Sequence, residues 1–215
     1  MILIAIDGAC RRNGQPDCTS AGGVFIQRHG APPMIQSCFE YNSTNQRGEL
    51  LALLRALDYV HLVDEECMIV TDSEYIFNAM TKQWYANWQR KGWITATSEP
   101  VKNKDIWMEI AHAASKVTYD MLFYHIKGHC IPFGKVTAET SLNADPTGQL
   151  LLSLVQKKFD DMAPTKQKIF QAAQELSKKN NGYALPDDTF KSFVVANTVV
   201  DAVATKVVEA ADRER

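Results

Sequence analysis

No two of the five cysteines are spaced as CxxC, and Cys10, Cys18, Cys38, Cys67 and Cys130 follow no regular interval. A zinc centre is therefore not expected, and an odd number of thiols without an export signal points to reduced, intracellular cysteines. Charge of one sign is missing too: 23 Lys and Arg stand against 25 Asp and Glu, a net charge of −2. Such a chain does not grip a polyanion with its whole surface, so any contact of that kind must be local. There is no long hydrophobic run. The N-terminal "MILIAIDGAC" is apolar at once, but it lacks a basic leading region and is too short for export or membrane spanning. The cytoplasm is the expected compartment, with no membrane partner. No internal repeat or low-complexity segment occurs.

What is present fits one domain with an appendage. The chain has 215 residues, of which 46% are hydrophobic, enough to bury a sizeable core. "ILIAI" (2–6) reads as a buried strand ending at Asp7-Gly8. "GGVFIQR" and "MIQSCFEY" read as two more strands joined by a turn at "HGAPP". From Thr44, a plausible N-cap, Leu50, Leu53, Leu54, Leu57 and Val60 recur at helical spacing. "CMIVTD" and "MLFYHI" are further strands, "SEYIFNAM" starts a helix, and Asn103 could cap another running to Lys116. A meander followed by strands separated by helices predicts an α/β fold: a mixed five-stranded sheet flanked by helices.

Beyond about Leu150 the character changes. There is no tryptophan and no clear strand, charge is nearly balanced, and three stretches fit helices. In the last, Phe193, Val200, Val203 and Val207 share a face. Residues 1–150 are thus expected to form the functional domain and 151–215 a C-terminal helical extension of unknown role. Its apolar faces should bury against the body or against a second copy of the chain.

Three acids sit where acids are informative. Asp7 and Asp72 each end an apolar strand; if those strands are parallel neighbours, both project at the edge where open α/β sheets bind ligands. Glu49 shares a helix face with Ala52, Leu53 and Ala56, which is costly unless something compensates it. Singly, Asp7 and Asp72 could be turn or cap residues and Glu49 could reach water. Together they suit a hard divalent cation, and paired Mg²⁺ ions held by acids suit in-line attack on a phosphodiester. The stretch "WYANWQRKGW" (84–93) adds three of the four tryptophans with Arg90 and Lys91 between the last two. It is either a packed segment or a surface laid against a polyanion.

These motifs, in this order, resemble type 1 ribonuclease H in its bacterial form over residues 1–150. "DGAC" resembles the first catalytic acid motif, "STNQRGELLALLRAL" the first helix with Glu49, and "VTDSEY" the third acid site at Asp72. The tryptophan segment and "PVKNKDIW" are similar to the basic protrusion, "IKGH" ends in the mobile-loop histidine at His129, and "NADP" offers Asp145 as fourth acid, with Glu139 as fallback. The resemblance implies an endoribonuclease that cuts the RNA strand of RNA–DNA hybrids with two Mg²⁺ ions, Mn²⁺ being an alternative. One ion activates water and the other stabilises the leaving 3′ oxygen. It implies catalysis by Asp7, Glu49, Asp72, His129 and Asp145, with the four carboxylates as metal ligands. It also implies hybrid contacts from Asn13, Asn45 and Gln46 near the 2′-hydroxyl and from Trp88, Arg90, Lys91 and Lys102 on the protrusion. Arg11 and Arg12 could reach a phosphate. The family acid usually follows an asparagine four residues earlier; before Asp145 that position is Ser141. Two rivals remain at this point: a hybrid-binding module that does not cleave, and a nuclease of the same superfamily acting on DNA.

Overall fold

A computed structural model describes residues 1–130, 149–161 and 164–214. Five strands form one sheet: β1 (Ile2–Arg11), β2 (Thr19–Arg28), β3 (Met34–Tyr41), β4 (Cys67–Thr71) and β5 (Met121–His125). Their order is β3-β2-β1-β4-β5, antiparallel among the first three and parallel from β1 to β4 and β4 to β5. The helices among the described residues are α1 (Asn45–Val63), α2 (Glu74–Thr81), α3 (Trp84–Arg90), α4 (Lys104–Ala114), α5 (Gln149–Asp160), α6 (Pro164–Asn181) and α7 (Asp187–Arg213). The mixed five-stranded sheet matches the pattern expected of alternating strands and helices. None of these helices is long and apolar enough to cross a membrane.

Strand periodicity sorts the core into two faces. Ile2, Ile4, Ile6, Val24 and Ile26 pack with Leu50, Leu53 and Leu57 of α1 and Ile106, Trp107 and Ile110 of α4. Their alternates Ala5, Phe25 and Val70 pack on the other side with Phe193, Val199, Val200 and Val203 of α7 and with Leu151 and Val155 of α5. Adjacent glycines in β2 admit both layers. A Cβ on Gly22 would fall 2.5 Å from the Gly48 carbonyl of α1, and one on Gly23 would fall 2.9 Å from Val200 Cγ2 of α7. The sequence "AGGVF" therefore carries a close helix approach on each face of a single strand.

α7 buries its apolar face against the body, one of the two outcomes expected of the extension, and supplies one of the two layers that cover the sheet at β1 and β2. One expectation is corrected here. The thiols are not all reduced: Cys10 and Cys18 form a disulfide, while Cys38, Cys67 and Cys130 are free. The pair becomes possible because β1 does not stop at Asp7. It continues as a hairpin arm to Arg11, paired with Thr19 of β2, which brings the two cysteines to its mouth.

Candidate active site

The β1–β4 ladder matches Ala5 with Val70; extended along both strands, the same register sets Asp7 beside Asp72 at the carboxyl edge of the sheet. Asp7 is buried, and the Gly8 amide donates to its Oδ1 at 2.7 Å. The side chain of Ser73 caps α2, so the chain turns directly after Asp72. The Ser73 hydroxyl also donates to Glu49 Oε2 at 2.6 Å, and Asn45 Nδ2 donates to Glu49 Oε1 at 2.9 Å. This answers how an acid is tolerated on the apolar face of α1: both carboxylate oxygens are hydrogen-bonded. Thr44 caps α1 as expected, accepting from the Arg47 amide.

A further carboxylate enters from α7. Asp7 is paired with Gly23 across the β1–β2 ladder, Val200 lies against Gly23, and Asp201 follows. Asp201 is close enough to Asp7 and Asp72 to act on both electrostatically. Its Oδ2 is also 3.3 Å from His129 Nδ1. Sequence reasoning passed over it, although two signals were present. Asp201 interrupts the run Val199, Val200, Ala202, Val203 just as Glu49 interrupts its own helix, and Asn197 stands four residues before it. Asp145 and Glu139 lie outside the described residues.

Burial raises all four carboxyl groups above the ordinary carboxylate range. For Asp7, held well above it, the neighbouring charges of Asp72 and Asp201 add to burial, while the Gly8 amide opposes them. Asp72 is raised by burial and by Asp201, with His129 opposing. Glu49 is raised by burial and partly relieved by the Ser73 hydroxyl. Asp201 is raised by burial, with His129 relieving it. Gly128 borders this group, since a Cβ there would lie 1.9 Å from Asp72 Oδ2.

The donor set fits hard cations. It is all oxygen, and burial and neighbouring acids leave it short of compensating positive charge. No three described acidic, His or Cys side chains form a ready-made cage. Mg²⁺ does not need one, because it keeps much of its water and takes only one or two carboxylates.

Around the acids lie the other expected contacts. Asn13 Oδ1 accepts from the Asn45 amide at 3.4 Å, and Gln46 Oε1 accepts from Asn103 Nδ2 at 3.2 Å, so these polar groups share one rim. Arg90, Lys91 and Lys102 are exposed on or beside α3 and the segment leading to α4. Trp88 takes the packed arrangement of the two open to this segment: its ring lies on Trp107, Trp84 and Tyr75, with centroids 5.4, 6.2 and 6.4 Å away. Trp93 is buried, and the Trp107 indole donates to the Tyr75 hydroxyl at 2.7 Å. The tryptophans thus fasten the protrusion to the body and leave its cations outward. Arg11 and Arg12 both pair with Asp212 of α7, and both side chains remain partly exposed.

Comparison with known proteins agrees with this geometry. The RNase H family profile matches residues 1–138. The ribonuclease H of Clostridium botulinum is 35% identical over 130 residues, covering 60% of this chain and 83% of that protein. Among solved structures, LC9-RNase H1, a type 1 RNase H with the type 2 active-site motif, has a TM-score of 0.51 at 20% identity and covers 69% of each chain. The foamy viral protease–reverse transcriptase in complex with an RNA/DNA hybrid also scores 0.51, at 19% identity, covering 59% of this chain and 17% of that one. With most of this chain matched by the profile and most of its relative's length covered, the chain belongs to the ribonuclease H family and is a ribonuclease H enzyme.

Proposed function

We propose that the chain hydrolyses the RNA strand of an RNA–DNA hybrid at the edge formed by Asp7, Glu49, Asp72 and Asp201, which would hold two Mg²⁺ ions, or Mn²⁺ in their place. The observation that carries this reading is the convergence of the buried Asp7 and the half-buried Glu49, Asp72 and Asp201 at one sheet edge, close enough that the charges of the other three raise Asp7. Bound there, the ions supply an activated water for in-line attack and charge stabilisation for the leaving 3′ oxygen. Asp7 is the central group, because it feels the charge of the other three.

The chain's own groups do the rest. Asn13, Asn45 and Gln46 share the rim beside Glu49, and in this reading they read the 2′-hydroxyl, the group that separates RNA from DNA. Arg90, Lys91 and Lys102 meet phosphates of the DNA strand. His129 is exposed on the loop after β5 and paired with Asp201, and in this reading it moves a proton at the departing oxygen. The similarity to the ribonuclease H of Clostridium botulinum supports this substrate class over plain duplex DNA. The acid from α7 supports cleavage over a merely binding role.

Asp72→Asn tests the reading. The side chains are nearly isosteric, and a neutral amide is a poor ligand for a hard cation. Cleavage of a hybrid in Mg²⁺ is expected to fall by orders of magnitude, about 10³-fold or more, with hybrid affinity retained in chelator. Near-normal turnover would sink the proposal.

A further inference from the structure

The chain around His125 is built in a way that the acids alone do not require. β5 is an edge strand, and its outer backbone groups need partners. At His125 they come from α6. The His125 amide donates to Asn181 Oδ1 at 2.9 Å, and the His125 carbonyl accepts from Asn181 Nδ2 at 2.9 Å and from the Ser177 hydroxyl at 3.1 Å. One asparagine side chain thus stands in for a residue of a sixth strand. α6 lies beyond the residues that match the family profile.

The clamp fixes a buried imidazole against the site. His125 Nε2 is 3.1 Å from the backbone carbonyl of Asp72. A carbonyl only accepts, so Nε2 carries the proton. Nδ1 then presents a lone pair, and Asn180 Nδ2 lies 2.8 Å from it as donor. Phe77 packs on the ring, with centroids 5.7 Å apart. Two neighbouring asparagines of α6 thereby set the backbone and the tautomer of one histidine. That histidine holds the peptide carrying the Asp72 carboxylate. Next to it, Ile126 N donates to Thr71 O at 3.1 Å, so the consecutive carbonyls of Thr71 and Asp72 are both held from the segment at the end of β5.

We propose that His125 is a positioning residue for Asp72, held in its Nε2–H form by Asn180 and in its place by Asn181 and Ser177. The inference rests on the reading of Asp72 as a metal-holding acid. Groups that orient a ligand in this way typically change metal affinity or activity about 10–100-fold when removed.

The test uses the full chain and has two arms. In metal-free protein, long-range ¹⁵N–¹H correlation of the imidazoles is expected to show His125 protonated at Nε2 and bare at Nδ1. In Asn180→Ala the two tautomers should mix. A wild-type His125 protonated at Nδ1 overturns the proposal. In the second arm, His125→Phe fills the ring's space without a donor, while His125→Gln restores a donor near the Nε2 position. With folding checked by circular dichroism, His125→Phe should raise the Mg²⁺ concentration for half-maximal cleavage about 10-fold, and His125→Gln should recover most of it. Should His125→Phe not fold, Asn180→Ala takes its place and is expected to shift the same Mg²⁺ midpoint in the same direction. A His125→Phe or Asn180→Ala midpoint equal to that of the wild type, or a His125→Gln no better than His125→Phe, overturns the positioning role alone. A wild type that leaves hybrid uncut in Mg²⁺ overturns the parent reading and the positioning role together.

Discussion

His129 Nδ1 lies 3.3 Å from the carboxylate of Asp201. The pair joins the loop that leaves β5 to the middle of α7, across the residues that separate them in sequence. It also defines one wall of the acid cluster. Asp201 is one-third exposed and His129 is largely exposed, so the pair sits at the opening of the site rather than inside it. When protonated, His129 opposes the effect of burial on the carboxyl groups of Asp72 and Asp201.

The space beside Asp72 gives a first prediction. Gly128→Ala needs no unusual backbone, because Gly128 is not among the positive-φ residues. Its new Cβ would nevertheless collide with the Asp72 carboxylate. The variant should fold and bind hybrid, yet lose cleavage by about 10²-fold, since small misplacements at a reacting centre cost that much. Steady-state rates on a hybrid, beside a melting curve, check it. Wild-type rates would show that the carboxylate can move aside freely.

The protrusion gives a second. Reversing Arg90, Lys91 and Lys102 to Glu should weaken hybrid binding and flatten its dependence on salt by roughly one unit of log–log slope for each phosphate no longer neutralised. The rate at saturating substrate should change little. Trp88→Ala should act differently: its ring is packed on Trp84, Trp107 and Tyr75, so the loss should appear mainly in stability. Binding titrations at several salt concentrations, with thermal melts of both variants, separate the two effects.

The raised carboxyl groups give a third. A carboxyl whose folded pKa is raised costs nothing when protonated in both states. The cost appears as pH climbs through the unfolded carboxylate range and is complete above the folded value. Without divalent ions the site therefore weakens the fold at neutral pH. Asp7→Asn should melt higher than wild type in chelator at pH 8, by about 2–4 °C for each kcal/mol of repulsion relieved. The gap should close as pH falls toward 4, and Mg²⁺ should narrow it by stabilising wild type alone. Opposing groups do not disturb the comparison: Glu40 and Asp105, both lowered by the Arg47 guanidinium, are common to the two proteins. Equal melting at every pH would contradict the electrostatic account.

The front of the site was readable because its signals are local. An apolar strand ending in an acid, an acid on an apolar helix face and a capped turn each announce themselves within a few residues, and Asp7, Glu49 and Asp72 follow from them. The sheet followed from the same periodicities. The back was not readable in the same way. Whether α7 covers the sheet depends on Gly23 admitting Val200, a meeting of distant segments. The pairing of Cys10 with Cys18 depends on how far the β1–β2 hairpin extends. The burial of the tryptophans depends on Tyr75 and Trp107, which no reading of "WYANWQRKGW" alone includes. The fourth acid was not legible because "NADP" resembles the family motif earlier in the chain, although Asn197 and Asp201, within a helix, carry the asparagine-to-aspartate spacing that Asp145 lacks.

The central claim is that α7 completes the catalytic edge with Asp201. The most direct test is hybrid cleavage in Mg²⁺ by Asp201→Asn and Asp145→Asn, measured side by side with wild type. Both changes remove one charge and almost no volume. The account predicts that Asp201→Asn loses cleavage by about 10²-fold or more, as removal of a metal-holding group should, while Asp145→Asn stays near the wild-type rate. A fully active Asp201→Asn beside an inactive Asp145→Asn would contradict it.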